Sequence, residues 1–446
     1  MKGVRCRWVP VYRSTMSVTQ DAASSYGHTQ RRSVDGNSPD DDHGAAAVPA
    51  SRDASPGDDR DPRTAQDDYL LVELLCAALA KIRLERQRAG LQATGTDGSG
   101  PLPRAWRDAR GRLWWKAQAL RLDGPGNDLE LFDWCRRPLG SWPVPLSLAE
   151  VDLEAVLLEG DSLSEFAEQA ADLVQHADVE AELVQNQVFA VLMLCARMNG
   201  GDDGAVQQVY RRLRRLLIDH PVLSDREVQT LARELPAADS DHDSFLAKFV
   251  RIAYVHHPVQ APGKVRLRRC ADCRNPLDDR ALGCGTPGCT GVAERYEVAC
   301  LGGYWTQHRA TRQFFHDPGL LEGRLLDQVR EIAHECLCVE DWPCLDAWDM
   351  AVTFKAKEPG AEAECWAVDA KDCSSPALLA RGFRCDPRVP ARRHIIVIPM
   401  HRLRTPGYCA DLERELQGRV TGVEVLDEKT FLRQVTVRAR RAGGTR

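Results

Sequence analysis

Leu70, Leu71, Leu74, Leu75, Ala78 and Ile82 recur at the three- and four-residue spacing of one helical face. That pattern predicts a helix of about five turns over "DDYLLVELLCAALAKIRLERQRAG". Upstream, residues 1–65 are rich in Ser, Asp, Gly, Pro and Ala and show no periodic apolar face, which predicts a disordered segment, with Met16 as an alternative start. Downstream, "PLPRAWRDARGRLWWKAQALRLDGPGNDLELFDWCRRPLGSWPVPLS" holds too many breakers for a long element; short strands, or aromatics buried against the helices, are expected there. From 147 to 255 the texture is helical throughout, about five or six helices divided by short polar or Pro breaks. The first of them, "SLAEVDLEAVLLEG", carries a capping-box pattern at Ser147 and Glu150. In "YRRLRRLL" the flank of Arg211, Arg212, Arg214 and Arg215 reads as a solvated face, or as a contact for nucleic acid or a partner protein. Residues 66–258 therefore form a helical interaction domain.

The pattern changes again after residue 300. "LLEGRLLDQVREIAHECLCVEDW" has the spacing of an amphipathic helix, and "LDAWDMAVTFKA" alternates Met350, Val352 and Phe354 with polar or small residues, as a strand does. After a turn-like break, "ECWAVDAKDCSSP" reads as a second strand with Trp366 and Val368 inward and Asp369 and Lys371 on the other side, about 7 Å apart along the chain. Ser374 and Ser375 before Pro376 predict an N-cap, and "RRHIIVIP" a buried strand. "TGVEVLDEKTFLRQV" closes the pattern as strand and helix. The expected fold class is α+β and multidomain, with an all-helical N-terminal domain and a C-terminal α/β domain over 301–437, followed by a flexible basic tail at 438–446.

Composition narrows the class. The 446 residues are 43% hydrophobic and 28% charged, with no apolar run near the roughly 20 residues of a membrane span. The first residues lack the apolar core of a secretory signal, so the cytoplasm is the expected location. A net charge of −6 excludes a globally basic binder, yet residues 376–446 carry fifteen Arg and Lys against seven Asp and Glu, a local excess that could meet phosphates. Arg381, Arg384, Arg392 and Arg393 are the candidate track for a DNA backbone.

Of sixteen cysteines, twelve fall at or after residue 270. Cys270, Cys273, Cys284 and Cys289 form a CxxC followed by a second pair in "CGTPGC". That set can complete a tetrahedron of thiolates around a structural Zn²⁺, with no position left open for substrate. Residues 264–300 are accordingly expected as a small zinc-ribbon-like module. "AHECLC" begins like a zincin motif but has Cys338 where the second histidine belongs, so a protease is excluded.

A hairpin between the two C-terminal strands would bring Asp349 to Asp369 and Lys371. Two carboxylates and an ammonium at one point suit phosphodiester hydrolysis: hard oxygens hold Mg²⁺ and the lysine orients water. The order of helix, strand entered by Asp349, hairpin, strand ending in Asp-x-Lys, helix and buried strand resembles the PD-(D/E)xK restriction-endonuclease fold. The resemblance implies Asp349, Asp369 and Lys371 as acid, acid and lysine. Asp346 competes for the first acid, and Glu335 or Glu331 matches the additional metal-facing glutamate that some members of that fold carry. More closely, the helical block ending in "FVRIAYVHHP", the cysteine quartet and "DAKDCSSPALLARGF" together resemble the restriction-endonuclease-like component of the pPIWI-RE family, bacterial three-gene islands built around a PIWI-related protein. This implies a Mg²⁺-dependent endonuclease subunit in antiviral defence, acting on DNA or an RNA–DNA hybrid beside a PIWI-related protein and a helicase. The alternative is a catalytically inactive module that binds nucleic acid and bridges to the same partners.

Overall fold

The four consecutive residues Ile395–Ile398 are fully buried, as expected of a strand covered on both faces. In the computed structural model, which describes residues 62–88, 102–174, 179–239, 244–277, 284–332, 337–355 and 363–443, they belong to a five-stranded sheet. Its strands are β1 (Leu337–Asp341), β2 (Met350–Phe354), β3 (Glu364–Ala370), β4 (Arg393–Ile398) and β5 (Val423–Asp427), in spatial order β5-β4-β3-β2-β1. β3 is the centre: it pairs antiparallel with β2 and parallel with β4. Alternation sorts the side chains. Met350, Val352, Trp366, Val368, Ile395 and Val397 share one core with helices Asp317–Glu331 and Glu428–Gly443. Ala351, Ala367, Ile396 and Ile398 share another with helices Pro376–Gly382 and Tyr408–Leu416. Arg381 and Ser375 anchor the Pro376–Gly382 helix, Ser375 as the expected N-cap that accepts from Leu378 N at 3.1 Å.

The helical block divides between two cores. Helices Pro62–Arg88, Arg104–Leu120, Asp128–Trp134 and Glu165–Asp172 pack among themselves and against Ala377 and Leu378. Helices Val179–Asn199, Asp203–Asp219 and Phe245–Ala253 instead share the core of the Asp317–Glu331 helix and the sheet. Strand Tyr254–Pro258 then pairs with Gly303–Gln307, and the cysteine-bearing segment, strands Gly263–Cys270 and Ala293–Cys300, is an excursion between them.

Several local expectations give way to tertiary contacts. "SLAEVDLEAVLLEG" keeps one helical turn, Glu150–Leu153, with Ala149 as its uncapped start, followed by a two-residue hairpin at Leu158–Glu159 and Ser162–Leu163. The Ser147 box does not form because Ser147 N donates to Asp68 and Ala149 N to Tyr69. Ser224 and Glu227 make a capping box instead. The Trp- and Pro-rich passage is mostly helical and buries Trp106, Trp134 and Trp142. "LCVED", expected to continue a helix, is the edge strand β1, since β2 would otherwise leave its backbone groups unpaired. The first helix already starts at Pro62, and residues 1–61 lie outside the described ones. The closing helix runs to Gly443 with Arg438 paired to Glu364, so 438–443 is not a loose tail; 444–446 lie outside the described residues. No described helix is long and apolar enough to cross a membrane.

Candidate active site and metal centre

The β2–β3 register pairs Met350 with Val368, so one step further Asp349 lies opposite Asp369. Residues directly opposite in an antiparallel pair share a face. Lys371 Nζ sits 2.6 Å from Asp369 Oδ1 and 4.0 Å from Asp349 Oδ2. Asp349 Oδ2 also accepts from Ala370 N at 2.6 Å, which fixes its carboxylate against the central strand. Between the two charged residues of the motif, Ala370 packs into the core. The structure thus joins the three residues expected from the sequence.

Asp349 is buried. Burial, the charge of Glu322 and the neighbouring Asp369 push its carboxyl well above the usual carboxylate range, against the pull of Lys371. Burial alone would lower the Lys371 ammonium, but Asp369 and Asp349 outweigh it and hold the group above its ordinary range.

The loop entering β2 is strained. Trp342, Cys344, Leu345 and Asp346 have φ of +40°, +52°, +57° and +74°, each conformation costing about 1–3 kcal/mol for a non-glycine residue. The Asp203–Asp219 helix holds this loop in place: Gln207 Nε2 donates to Trp342 O at 2.8 Å, Leu345 N donates to Gln207 Oε1 at 3.1 Å, and Arg211 Nε donates to Asp341 O at 3.0 Å. Trp342 N donates to Asp349 O and closes the turn at 2.9 Å. Asp346 falls within this loop, in electrostatic reach of Tyr210 and Arg214, while Asp349 is the acid that meets Asp369 and Lys371.

Among the glutamates, Glu331 is exposed at the end of its helix and Glu335 lies outside the described residues. The acid that the helix does turn toward the cluster is Glu322, which accepts from both Arg214 Nη2 and, at 2.8 Å, Trp342 Nε1. Sequence reasoning passed over it, although a signal was present: Glu322, Leu325, Leu326 and Val329 are spaced i, i+3, i+4 and i+7, so the acid occupies a core stripe. Arg214 carries the same signal between Leu213 and Leu217. It is buried, whereas Arg211 pairs with Glu340, Arg212 with Glu234, and Arg215 with Asp219 and Asp327. Arg214 alone leaves the expected solvated flank for the interior, while Arg211, Arg212 and Arg215 stay partly exposed and form pairs within the chain. Much of the expected DNA track is paired too: Arg381 pairs with Glu73 and Arg393 with Glu424, leaving Arg384 and Arg392 as its more exposed members.

The four cysteines converge. Cys270 and Cys289 Sγ are 3.4 Å apart, Cys273 and Cys284 Sγ 3.2 Å, and all four sulfurs lie within 4.8 Å of one another. This is the arrangement of a structural metal site such as zinc, with no free position. A Cβ on Gly291 would stand 2.4 Å from Cys270 Sγ, so the chain must pass there as glycine. The centre touches the acid cluster's supports on two sides. Asn275 Nδ2 donates to Thr286 at 2.7 Å and to Asp317, at the start of the Glu322 helix, at 2.8 Å. Gly288, with φ of +66°, lies against the His401 ring, which bonds Asp372 at 3.0 Å, next to Lys371.

Two family models match the chain: "REase associating with pPIWI_RE" over residues 319–443, and "pPIWI_RE three-gene island domain Y" over residues 91–224. No curated protein and no solved structure matches it. The first model covers the sheet with Asp349, Asp369, Lys371 and Glu322, and the second covers most of the helical block up to the strand after Arg214. Both point to one origin: the chain belongs to the pPIWI-RE three-gene island, as the component with its restriction-endonuclease-associated domain.

Proposed function

We propose that this chain is a metal-dependent endonuclease subunit that hydrolyses phosphodiester bonds in DNA. The observation that carries the reading is the placement of Asp349 opposite Asp369 with Lys371 between them, 2.6 and 4.0 Å away. The donor set fits Mg²⁺, which takes one or two carboxylates and keeps water and phosphate oxygens for the rest of its octahedron. Burial first, and then the charges of Glu322 and Asp369, hold the Asp349 carboxyl above its usual range even with Lys371 nearby, and a bound divalent cation would favour its ionised form.

Asp349 and Asp369 would hold Mg²⁺, which supplies Lewis acidity toward the scissile phosphate and an acidified water. Lys371 stays protonated and serves as a positioned donor and countercharge, not as the base. The strained loop and Ala370 N hold Asp349 in register before substrate arrives. The family assignment extends the proposal to a PIWI-related protein and a helicase as partners in cytoplasmic defence, with strand choice left to those partners.

The test is nicking of supercoiled plasmid in Mg²⁺ or Mn²⁺ by wild type, Asp369→Asn and Lys371→Ala. Cleavage by wild type alone, with at least about a hundredfold loss in each variant, supports the reading. DNA binding without cutting by wild type, even with the island's other proteins added, defeats it in favour of a binding module.

A further inference from the structure

The Arg104–Leu120 helix buries Trp106, Ala109, Leu113 and Ala117 and leaves its other side bare. On that side Trp114 and Trp115 are 46% and 69% exposed, their rings edge to face at 4.8 Å. A lone exposed apolar residue needs no explanation, but two adjacent indoles do. Arg107, Arg112 and Arg121 are exposed around them, and their side chains have no ion pair or hydrogen bond among the described residues. Asp108 is engaged by Arg104 at 3.4 Å and does not neutralise them. Arg104, Arg107, Gly111 and Trp115 run along one stripe at i, i+3, i+7 and i+11. Glycine inside a helix is unfavourable relative to alanine, and a Cβ at Gly111 would touch nothing within 4 Å. Internal packing therefore does not require glycine there, and the helix surface beside the indoles is open.

We propose that this face is a docking platform for single-stranded nucleic acid, with Trp114 and Trp115 stacking on bases and Arg107, Arg112 and Arg121 meeting phosphates. Stacking on aromatic rings within a basic track is the general chemistry of such binding. The charge selects the occupant: an apolar protein surface laid over the indoles would have to desolvate three unpaired guanidinium groups. The platform is also fixed relative to the aspartate pair. Lys116 on the same helix bonds Asp68 at 2.7 Å, and the adjacent Tyr69 bonds Asp152, which accepts from Ser375 at 2.8 Å, four residues past Lys371. A strand held there is presented at a constant offset from the sheet.

The test uses the full chain in EDTA with labelled oligothymidylate, read by anisotropy and by quenching of tryptophan fluorescence. Trp115→Ala should weaken binding about tenfold, and Arg107→Ser/Arg112→Ser/Arg121→Ser should lower the slope of log affinity against log salt by about 2. Both changes are on the surface and should leave the circular dichroism of the chain unchanged. Binding is read in EDTA, where a metal-dependent enzyme cannot cut, so a wild type that binds here but never cleaves in Mg²⁺ would count against the nuclease reading and not against this one. Unchanged affinity and salt slope in both platform variants overturns the proposal. So does a Trp115→Ala protein that keeps its oligonucleotide affinity but no longer co-purifies with a protein of the island, which would make the face a protein interface.

Discussion

Arg214 Nη2 donates to both carboxylate oxygens of Glu322, 3.0 Å to each, with each side chain only 5% exposed. Arg214 lies in the segment matched as domain Y and Glu322 in the segment matched as the endonuclease-associated domain, so the two meet inside one core. The arginine also lies over the Phe315 and Trp342 rings at 5.3 and 5.9 Å. Glu322 and Asp346 hold its guanidinium above the ordinary range despite burial.

Removing one partner of such a pair strands the other charge in the core. Arg214→Met should therefore destabilise the protein by about 3–5 kcal/mol, and adding Glu322→Gln should restore part of the loss. Urea unfolding of the two single variants and the double variant measures the coupling. Strictly additive losses would show that the pair is not the unit.

The cation-free protein should lose stability as pH rises through the interval above the usual carboxylate range. Folding raises the proton affinity of Asp349, so in that interval the folded state holds more protons than the unfolded one. Asp349→Asn keeps an acceptor for Ala370 N and removes the charge. In EDTA at neutral pH it should melt higher than wild type, the two converging as pH falls toward about 4. Mg²⁺ should raise the melting temperature of wild type and not of the variant. Identical neutral melting curves in EDTA would contradict this account of Asp349.

Purified protein should release one zinc per chain to a mercurial reagent, and Cys273→Ser or Gly291→Ala should abolish it, the latter because its Cβ would crowd Cys270 Sγ. Through Asp317 and His401 the loss should spread. Hydrogen exchange should quicken around residues 284–291, 317 and 401 while the Pro62–Arg88 helix keeps its protection. Unchanged exchange at 317 and 401 would show that the metal supports its own loop alone.

Ser375→Ala removes a helix cap and a donor to Asp152 at once. A loss of about 1–3 kcal/mol in thermal or urea unfolding is expected, more than for a surface cap alone. Replacing Ser374, which bonds Gln169 at the half-buried edge, should cost less. Equal losses at the two positions would place the contribution in the loop and not in the cap.

The acids and lysine of the candidate site were legible because a strand's two-residue period states which side chains share a side. Asp349 and Asp369 lie close together in the chain, and the antiparallel pairing of the two strands aligns them. The cysteine quartet was legible for a similar reason, since its ligands cluster within one local segment. The β1 strand was not: its residues continue a helical pattern, and the free edge of β2 is what recruits them.

By itself, the sequence determined the buried strands, the Asp-x-Lys geometry, the sulfur site and the cap at Ser375, all of which depend on residues near one another in the chain. Only the tertiary structure decided that Arg214 alone of the arginine flank is buried and pairs with Glu322, 108 residues away, and that Trp114 and Trp115 stay in solvent while Trp106 does not. Periodicity specifies which face of an element turns inward, but long-range packing chooses what that face meets. A charge on an inward face can be satisfied only by whichever partner the fold delivers.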